Sequence, residues 1–180
     1  EIYVHDETSL KPYCVSVTMY PLLLDGLRGL GGESGPPKHL ASFCGLFVNF
    51  VFAVSAQFAG AVATVEFLTY FDHFARKEFG DDYLQTNAND VNSFLQQVVY
   101  SVNQPAAARG YQSVFWNISV YDEYYFASMF ENFRFPDGDQ PLWHSVDRLQ
   151  RHFLYWFNHE RTKALLTFPV VTVALLTKDG

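Results

Sequence analysis

Apolar residues follow two patterns along the chain, one typical of strands and one typical of helices, and the two alternate. β-Branched and aromatic side chains dominate residues 13–20 and 111–120, which is typical of strands. Residues 1–5 share this bias, and residues 165–176 form a nearly continuous apolar run, which is typical of a strand covered on both faces. Because predicted helices separate these strands, the pattern favours an α/β fold.

The helices are predicted from helical spacing of apolar side chains and from their start and stop signals. Residues 26–35 contain five glycines and are predicted to form a loop. Pro36 and Pro37 then open a long apolar helix, which Gly60 breaks or kinks before a second helical run continues to Phe79. Three further helices are predicted over residues 91–102, 123–132 and 142–158.

Residues 40–65 carry no charged side chain, and this segment is longer than the roughly 20 residues that span a bilayer. The polar residues Asn49 and Gln57 interrupt it, and no Trp or Tyr belt flanks it. A helix that is apolar all round is buried in protein or in lipid. We interpret the segment as a central or subunit-interface helix, and the alternative is a membrane or scaffold protein anchored by residues 40–65.

Composition indicates a surface that something else covers. Charged residues make up 17% of the 180 residues and aromatic residues 18%, whereas charged residues usually make up about a quarter. The length fits one domain, but so little charge leaves part of its surface to a partner, a membrane or the rest of a larger fold. The net charge of −7 argues against nucleic acid as the main partner.

The cysteines and the two ends of the chain bear on location. Cys14 and Cys44 can pair only once, and no secretory signal pattern occurs, so we expect a reducing, cytoplasmic setting. The chain begins within a predicted strand and stops at the turn dipeptide 179–180. We therefore expect a fragment of a longer protein.

Three features invite a phosphate, metal or acid–base interpretation. The loop at residues 26–35 precedes a helix, where free N–H groups attract anions, but it matches neither the P-loop nor the dinucleotide pattern, so a flexible connection is favoured. His152 and His159 lie about 10.5 Å apart along a helix, and no HExxH or CxxC occurs, so no metal site is predicted. For His5 beside Asp6, a structural turn is favoured over an acid–base pair.

Polar side chains within two of the predicted strands are candidates for chemistry. Strand alternation places Cys14 and Ser16 on one face, which fits either a reactive thiol facing a barrel interior or a buried structural cysteine. Gln112, Ser113 and Asn117 lie within an apolar strand, where buried polar groups need partners. They form either cross-strand hydrogen bonds or ligand contacts.

Several segments together resemble the catalytic subunit of anaerobic (class III) ribonucleotide reductase, a glycyl radical enzyme. They follow the family's order and cover essentially the whole chain, and the central segment is the most specific. The segments are YVHDE at 3–7, PPKHLASF at 36–43, SVNQPAAARGYQSVFWNISVYD at 101–122, FPDGD at 135–139 and LLTFPVVTVALL at 165–176.

The resemblance implies part of a ten-stranded α/β barrel with long buried helices at a dimer interface. Residues 1–180 are then part of a single catalytic barrel domain. Residues 1–35 would hold early strands and the Gly-rich loop, residues 36–104 the helices that form a homodimer and respond to effectors, and residues 105–180 further barrel strands and helices.

The resemblance also implies an activity. Such enzymes reduce ribonucleoside triphosphates to deoxyribonucleoside triphosphates, using a glycyl radical installed by a radical-SAM activase, a thiyl cysteine and formate as reductant. The glycyl radical loop, the thiyl cysteine, the four-cysteine zinc site and the ATP cone do not occur in this sequence, so the chain alone is expected to be inactive. The nearest alternative is another glycyl radical enzyme, a formate-lyase-type acyltransferase.

Finally, the resemblance implies site residues. Cys14 is the candidate for the second cysteine, which lies on an early barrel strand and assists the reduction. The enzymes of this family take dNTP and ATP effectors, and neither nucleic acid nor membrane is expected as a partner. Substrate contacts are expected from His5, Gln112, Ser113 and Asn117, and effector contacts from Lys38 and His39.

Overall fold

The computed structural model describes residues 11–28, 33–105 and 112–176. The predicted strand over residues 1–5, with His5, lies outside the described residues. The strands are β1 (Val15–Ser16), β2 (Val62–Thr64), β3 (Trp116–Tyr121) and β4 (Val170–Ala174). The helices are α1 (Tyr20–Asp25), α2 (Leu40–Ser55), α3 (Phe67–Phe79), α4 (Tyr83–Thr86), α5 (Ala88–Asn103), α6 (Glu123–Phe130) and α7 (Trp143–Glu160).

The four strands form one sheet in the order β1-β2-β3-β4, and every neighbouring pair is parallel. Helices lie between successive strands in the chain, as parallel connections require. The predicted α/β fold is therefore confirmed. In the described part of the sheet, β1 and β4 are the edge strands.

One face of the sheet is covered by an aromatic core. Phe47 of α2 and Phe67 of α3 lie against Trp116 of β3, with ring centroids 5.1 and 5.0 Å from its indole. The indole Nε1 donates a hydrogen bond of 2.9 Å to Thr64 Oγ1 on β2. Strand alternation therefore directs the even-numbered side chains of β2 and β3 towards the helices and leaves the opposite face to smaller, more polar residues.

The helices predicted in the second half of the chain are confirmed with shifted ends. The prediction over residues 91–102 corresponds to α5, which begins three residues earlier at Ala88 and ends before Gln104, as expected ahead of Pro105. The predictions over 123–132 and 142–158 correspond to α6 and α7. Asp122 caps α6, because its carboxylate accepts a hydrogen bond of 2.8 Å from the Tyr125 amide.

Two predictions in the first half are wrong in their limits. The predicted strand over residues 13–20 is only two residues long, because Pro21 provides a favourable first-turn residue for α1. The second helical run is present as α3 and ends at Phe79 as predicted, but it begins only at Phe67, and β2 lies between it and α2, which ends at Ser55. Three of residues 62–65 are β-branched, which favours a strand once Gly60 has broken the helix.

The apolar segment at residues 40–65 is therefore not one helix. None of the helices in the described ranges is long and apolar enough to cross a membrane. Most apolar side chains along one face of α2 are buried within the protein, among them Leu40, Phe43, Phe47 and Val51.

The strand predicted within residues 165–176 is present as β4, but it is not covered on both faces. Val173 is 62% exposed and Val170 is 39% exposed. In the described part of the chain, β4 pairs only with β3, so one edge has no strand beside it. Strand β4 thus carries more apolar surface than the described part of the chain buries.

Candidate functional site

The polar face of the sheet forms the floor of a cavity of about 450 Å³. Each strand contributes alternate side chains to it, as the period of two predicts. Ala61 and Ala63 leave space above β2 between the more polar residues of β1 and β3. The lining residues that carry a polar side-chain atom are Cys14, Ser16, Asn117, Ser119, Tyr125 and Thr172.

Cys14 directly precedes β1 and lines the same cavity as Val15 and Ser16. Its thiol is free and exposed. The Ala61 amide donates a hydrogen bond of 3.3 Å to Cys14 Sγ. The structure therefore places an accessible sulfur in the cavity, with one lone pair engaged by the backbone before β2.

Asn117 is the second sequence-predicted residue in this cavity. Its side-chain amide exchanges two hydrogen bonds with the Thr172 hydroxyl, Nδ2 to Oγ1 at 3.0 Å and Oγ1 to Oδ1 at 3.1 Å. The pair spans β3 and β4 and lies in the exposed part of the sheet. The sequence left cross-strand hydrogen bonds and ligand contacts as alternatives for Asn117. The cross-strand bonds are present, and the Asn117 amide and the Thr172 hydroxyl also face the cavity.

Gln112 and Ser113 lie outside the residues that line this cavity. The Ser113 hydroxyl donates a hydrogen bond of 2.8 Å to the Asn103 carbonyl at the end of α5. Gln112 is exposed at the approach to β3. The structure therefore brings Cys14 and Asn117 together but not these two, and their roles stay predictions.

Lys38 lines a second cavity, of about 220 Å³. Its walls are helix α3, the turn that follows α6 and the segment that precedes α2. Lys77, His73 and Asp137 line it as well. Ser42 Oγ accepts hydrogen bonds from the Lys38 and His39 amides at 3.1 and 3.0 Å, which fixes the start of α2. His39 is the N-cap residue of that helix and is exposed.

His73 is the buried group of this second cavity. Its ring stacks on Phe135 with centroids 3.7 Å apart, and Nε2 lies 3.2 Å from Asp137 Oδ2. Burial lowers the pKa of His73 from 6.5 to about 4, although the Asp137 carboxylate opposes this shift. The imidazole is therefore neutral near pH 7.

His73, Asp137 and Asp139 offer ligand atoms that lie within 4.8 Å of one another. Residue spacing alone does not indicate this group, because α3 and the turn after α6 are far apart in the chain. The Lys77 ammonium already contacts the same Asp137 oxygen as His73. A metal ion would have to displace this lysine, so we assign no metal to the group.

We expect protein stability to fall between pH 6.5 and 4 in a way that depends on His73. The His73 imidazole is protonated near pH 6.5 in the unfolded chain and only near pH 4 in the folded protein. The contribution of neutral His73 to the free energy of unfolding is therefore complete above pH 6.5 and is lost as the pH falls towards 4. The loss is at most about 3 kcal/mol, at roughly 1.36 kcal/mol per pKa unit. Urea midpoints against pH for wild type and His73→Gln test this, and parallel curves would contradict it.

Asp72 is a buried carboxylate that the sequence patterns did not single out. It is 0% exposed and accepts hydrogen bonds from Ser145 Oγ at 2.5 Å, Tyr83 Oη at 2.7 Å and Arg76 Nε at 3.0 Å. Burial raises its pKa, and the hydrogen bonds from Ser145 and Tyr83 act against that rise. Asp72 thereby links α3 to α4 and α7 within one polar network.

Comparison with solved structures finds similar chains. The anaerobic ribonucleotide reductase from Thermotoga maritima with citrate in the active site is 32% identical, with a TM-score of 0.81, over 95% of this chain and 31% of that chain. The T. maritima enzyme with dATP bound in the specificity site is 32% identical, with a TM-score of 0.82, over 93% of this chain and 29% of that one. This chain thus spans less than a third of these relatives.

The sequence comparisons give one result for a family and none for an individual protein. No curated protein matches the chain. A family model described as anaerobic ribonucleoside-triphosphate reductase matches residues 1–179, which is nearly the whole sequence. The chain therefore belongs to the anaerobic ribonucleoside-triphosphate reductase family.

Proposed function

We propose that this chain is part of an enzyme that reduces ribonucleoside triphosphates to deoxyribonucleoside triphosphates anaerobically, with Cys14 taking part in the chemistry. The observation that carries the proposal is the cavity on the polar face of the sheet, where Cys14 and Asn117 meet. An accessible thiol beside a few placed polar groups suits a substrate that must be oriented and reduced. Membership of the family supplies the reaction class.

The overall reaction balances with formate as the electron donor. The ribose 2′-hydroxyl leaves as water and a hydrogen replaces it, while formate and one proton are consumed and carbon dioxide is released. The glycyl radical, generated by a radical-SAM activase outside this chain, supplies the radical that starts the reaction. Cys14 gives a hydrogen from its thiol to the ribose, and formate restores that hydrogen within the cycle.

We propose that Asn117 orients the ribose. Its amide and the Thr172 hydroxyl each combine a donor and an acceptor, and both face the cavity that Cys14 lines. Ribose hydroxyls can replace one of the two bonds between these side chains without leaving a polar atom unpaired. Substrate contacts by Gln112, Ser113 and His5 are proposed from the family resemblance alone, and Gln112 and Ser113 do not line this cavity.

For the assembly, we propose one catalytic barrel domain that this chain shares with the rest of the protein. Six further strands continue from the edges of β1 and β4 to make ten, which accounts for the exposed apolar side chains of β4. The helices of residues 36–104 form the interface of a homodimer, and a structural zinc site lies in a C-terminal part. Within this assignment we also propose a cytoplasmic location.

We propose that Lys38 and His39 contact a nucleotide effector. The Lys38 side chain lines the second cavity, and its ammonium group attracts the phosphates of a dNTP, whereas Lys77, which also lines the cavity, pairs with Asp137. His39 sits beside that cavity at the start of α2. The T. maritima enzyme has been solved with dATP in its specificity site, which makes dATP the first nucleotide to test.

We expect dATP to raise the melting temperature of the full-length protein, because a ligand that binds only the native state stabilises it. Lys38→Ala should weaken dATP binding about tenfold, the loss of one charge-assisted contact of roughly 1.4 kcal/mol. Titration of the thermal shift with dATP measures both effects.

The matched control is Lys163→Ala, since Lys163 pairs with Glu160 at the end of α7 and does not line this cavity. Its dATP titration should match that of wild type. A wild-type protein that no dNTP stabilises would instead support the formate-lyase-type acyltransferase, which needs no nucleotide effector.

A further inference from the structure

Gly60 lies in the turn before β2, packed directly against Cys14. A Cβ at this position would lie 2.7 Å from Cys14 Sγ and 2.6 Å from the Tyr13 carbonyl oxygen. Both distances are too short for real atoms, and one of the contacts is to the backbone, which cannot rotate away. The position therefore accepts only glycine as long as the sulfur stays where it is.

The backbone on either side of Gly60 is fixed to the segment that carries Cys14. The Ala59 amide donates to the Pro12 carbonyl at 3.0 Å, and the Gly60 amide donates to the Tyr13 carbonyl. The Val15 amide in turn donates to the Ala61 carbonyl at 3.0 Å. These bonds leave the Ala61 amide directed at Cys14 Sγ, 3.3 Å away.

We infer that Gly60 and the Ala61 amide are positioning elements for the Cys14 thiol. The missing side chain at Gly60 lets the turn approach the sulfur, and the Ala61 N–H holds one sulfur lone pair. Together these two contacts restrict where the Cys14 sulfur lies relative to the cavity. This inference rests on the proposed role of Cys14 and adds the groups that set the position of its sulfur.

Gly60→Ala in the full-length, activated protein tests the inference. We expect kcat for deoxyribonucleotide formation to fall about 100-fold, since displacing a reacting group by about 1 Å has an effect of that size. KM for the ribonucleoside triphosphate should stay within about twofold, because Asn117 and the rest of the cavity are unchanged. A purely structural defect would instead lower the melting temperature and alter KM together with kcat.

Gly35→Ala is the matched control. It adds the same methyl group to a glycine of the loop before α2, where a Cβ would meet nothing within 4 Å. This variant should retain wild-type kcat and KM. If Gly60→Ala also retains the wild-type kcat, or loses no more than Gly35→Ala, the inference is wrong.

Ala61→Pro provides a second test if Gly60→Ala does not fold. Proline removes the N–H that reaches Cys14 Sγ but keeps the carbonyl that accepts from Val15. We expect the same fall in kcat, and an unchanged kcat would overturn the role of the amide. Cys14→Ser, assayed in parallel, distinguishes failure of this inference from failure of the proposed role of Cys14. If Cys14→Ser is inactive while Gly60→Ala and Ala61→Pro turn over normally, only this inference fails. If Cys14→Ser is active, the proposed role of Cys14 fails.

Discussion

Replacing Cys14 by serine in the full-length protein should lower ribonucleotide reduction by roughly 1,000-fold or more, the scale seen when a reacting side chain is removed. Serine keeps the size and hydrogen-bonding capacity of cysteine, so the cavity and the bond from the Ala61 amide persist. It lacks the oxidisable sulfur and the weak S–H bond that a radical reduction requires. Binding of the ribonucleoside triphosphate should be unchanged, as measured by thermal shift.

Cys44→Ala is the control for this variant. Cys44 is 0% exposed in α2, and burial raises the pKa of its thiol, which keeps the group unreactive. Cys44→Ala should cost some stability through lost packing but retain most of the turnover. Normal reduction by Cys14→Ser, or an equal loss in both variants, would contradict the role of Cys14.

Replacing Asp72 by alanine should lower the free energy of unfolding by about 3–5 kcal/mol, the usual cost of removing one partner of a buried charged pair. The variant leaves Ser145 Oγ and Tyr83 Oη without the acceptor that they share in the core. It also leaves the Arg76 guanidinium, whose side chain is only 14% exposed, without its closest carboxylate. Urea unfolding of the full-length protein, followed by far-UV circular dichroism, measures the change in midpoint.

Asp147→Ala is the matched control for Asp72. Asp147 also pairs with an arginine four residues later in a helix, but its partner Arg151 is 78% exposed. The free energy of unfolding should hardly change there, because solvent and salt screen an exposed ion pair. If Asp72→Ala costs as little as Asp147→Ala, the buried network does not hold α3, α4 and α7 together.

Helices with strong local signals could be predicted from the sequence. Asp122 before α6 and the Gln104-Pro105 step after α5 act through neighbouring backbone atoms, so their effect does not depend on the rest of the fold. The membrane alternative for residues 40–65 came from composition alone. Composition does not show that the chain turns at Gly60 and re-enters the sheet as β2.

The strands in the first half were harder to predict because their limits are set by pairing. Residues 13–20 have strong strand character throughout, but only Val15 and Ser16 lie beside β2 in parallel register. Pro21 then favours α1 over further strand. Strand preference reflects packing and pairing more than an intrinsic property of the backbone, so tertiary structure overrode it here.

The candidate site was predictable in its parts but not in its arrangement. Cys14 and Ser16, which strand alternation predicts to share a face, line one cavity, and Asn117 was singled out as a polar residue in an apolar strand. That Asn117 joins them follows only from the order β1-β2-β3 and its register. The contacts of Gly60 with Cys14 arise from the same pairing and leave no pattern in the sequence beyond a single glycine.

The most direct test of formate-dependent reduction through Cys14 is turnover by the full-length protein. The protein is activated anaerobically and supplied with a ribonucleoside triphosphate and with formate labelled at its carbon atom. We predict one deoxyribonucleoside triphosphate formed for each labelled carbon dioxide released, with both products absent when Cys14 is replaced by serine. An activated protein that forms no deoxyribonucleotide, and instead exchanges labelled formate with an acyl donor, would contradict the proposal and favour the acyltransferase.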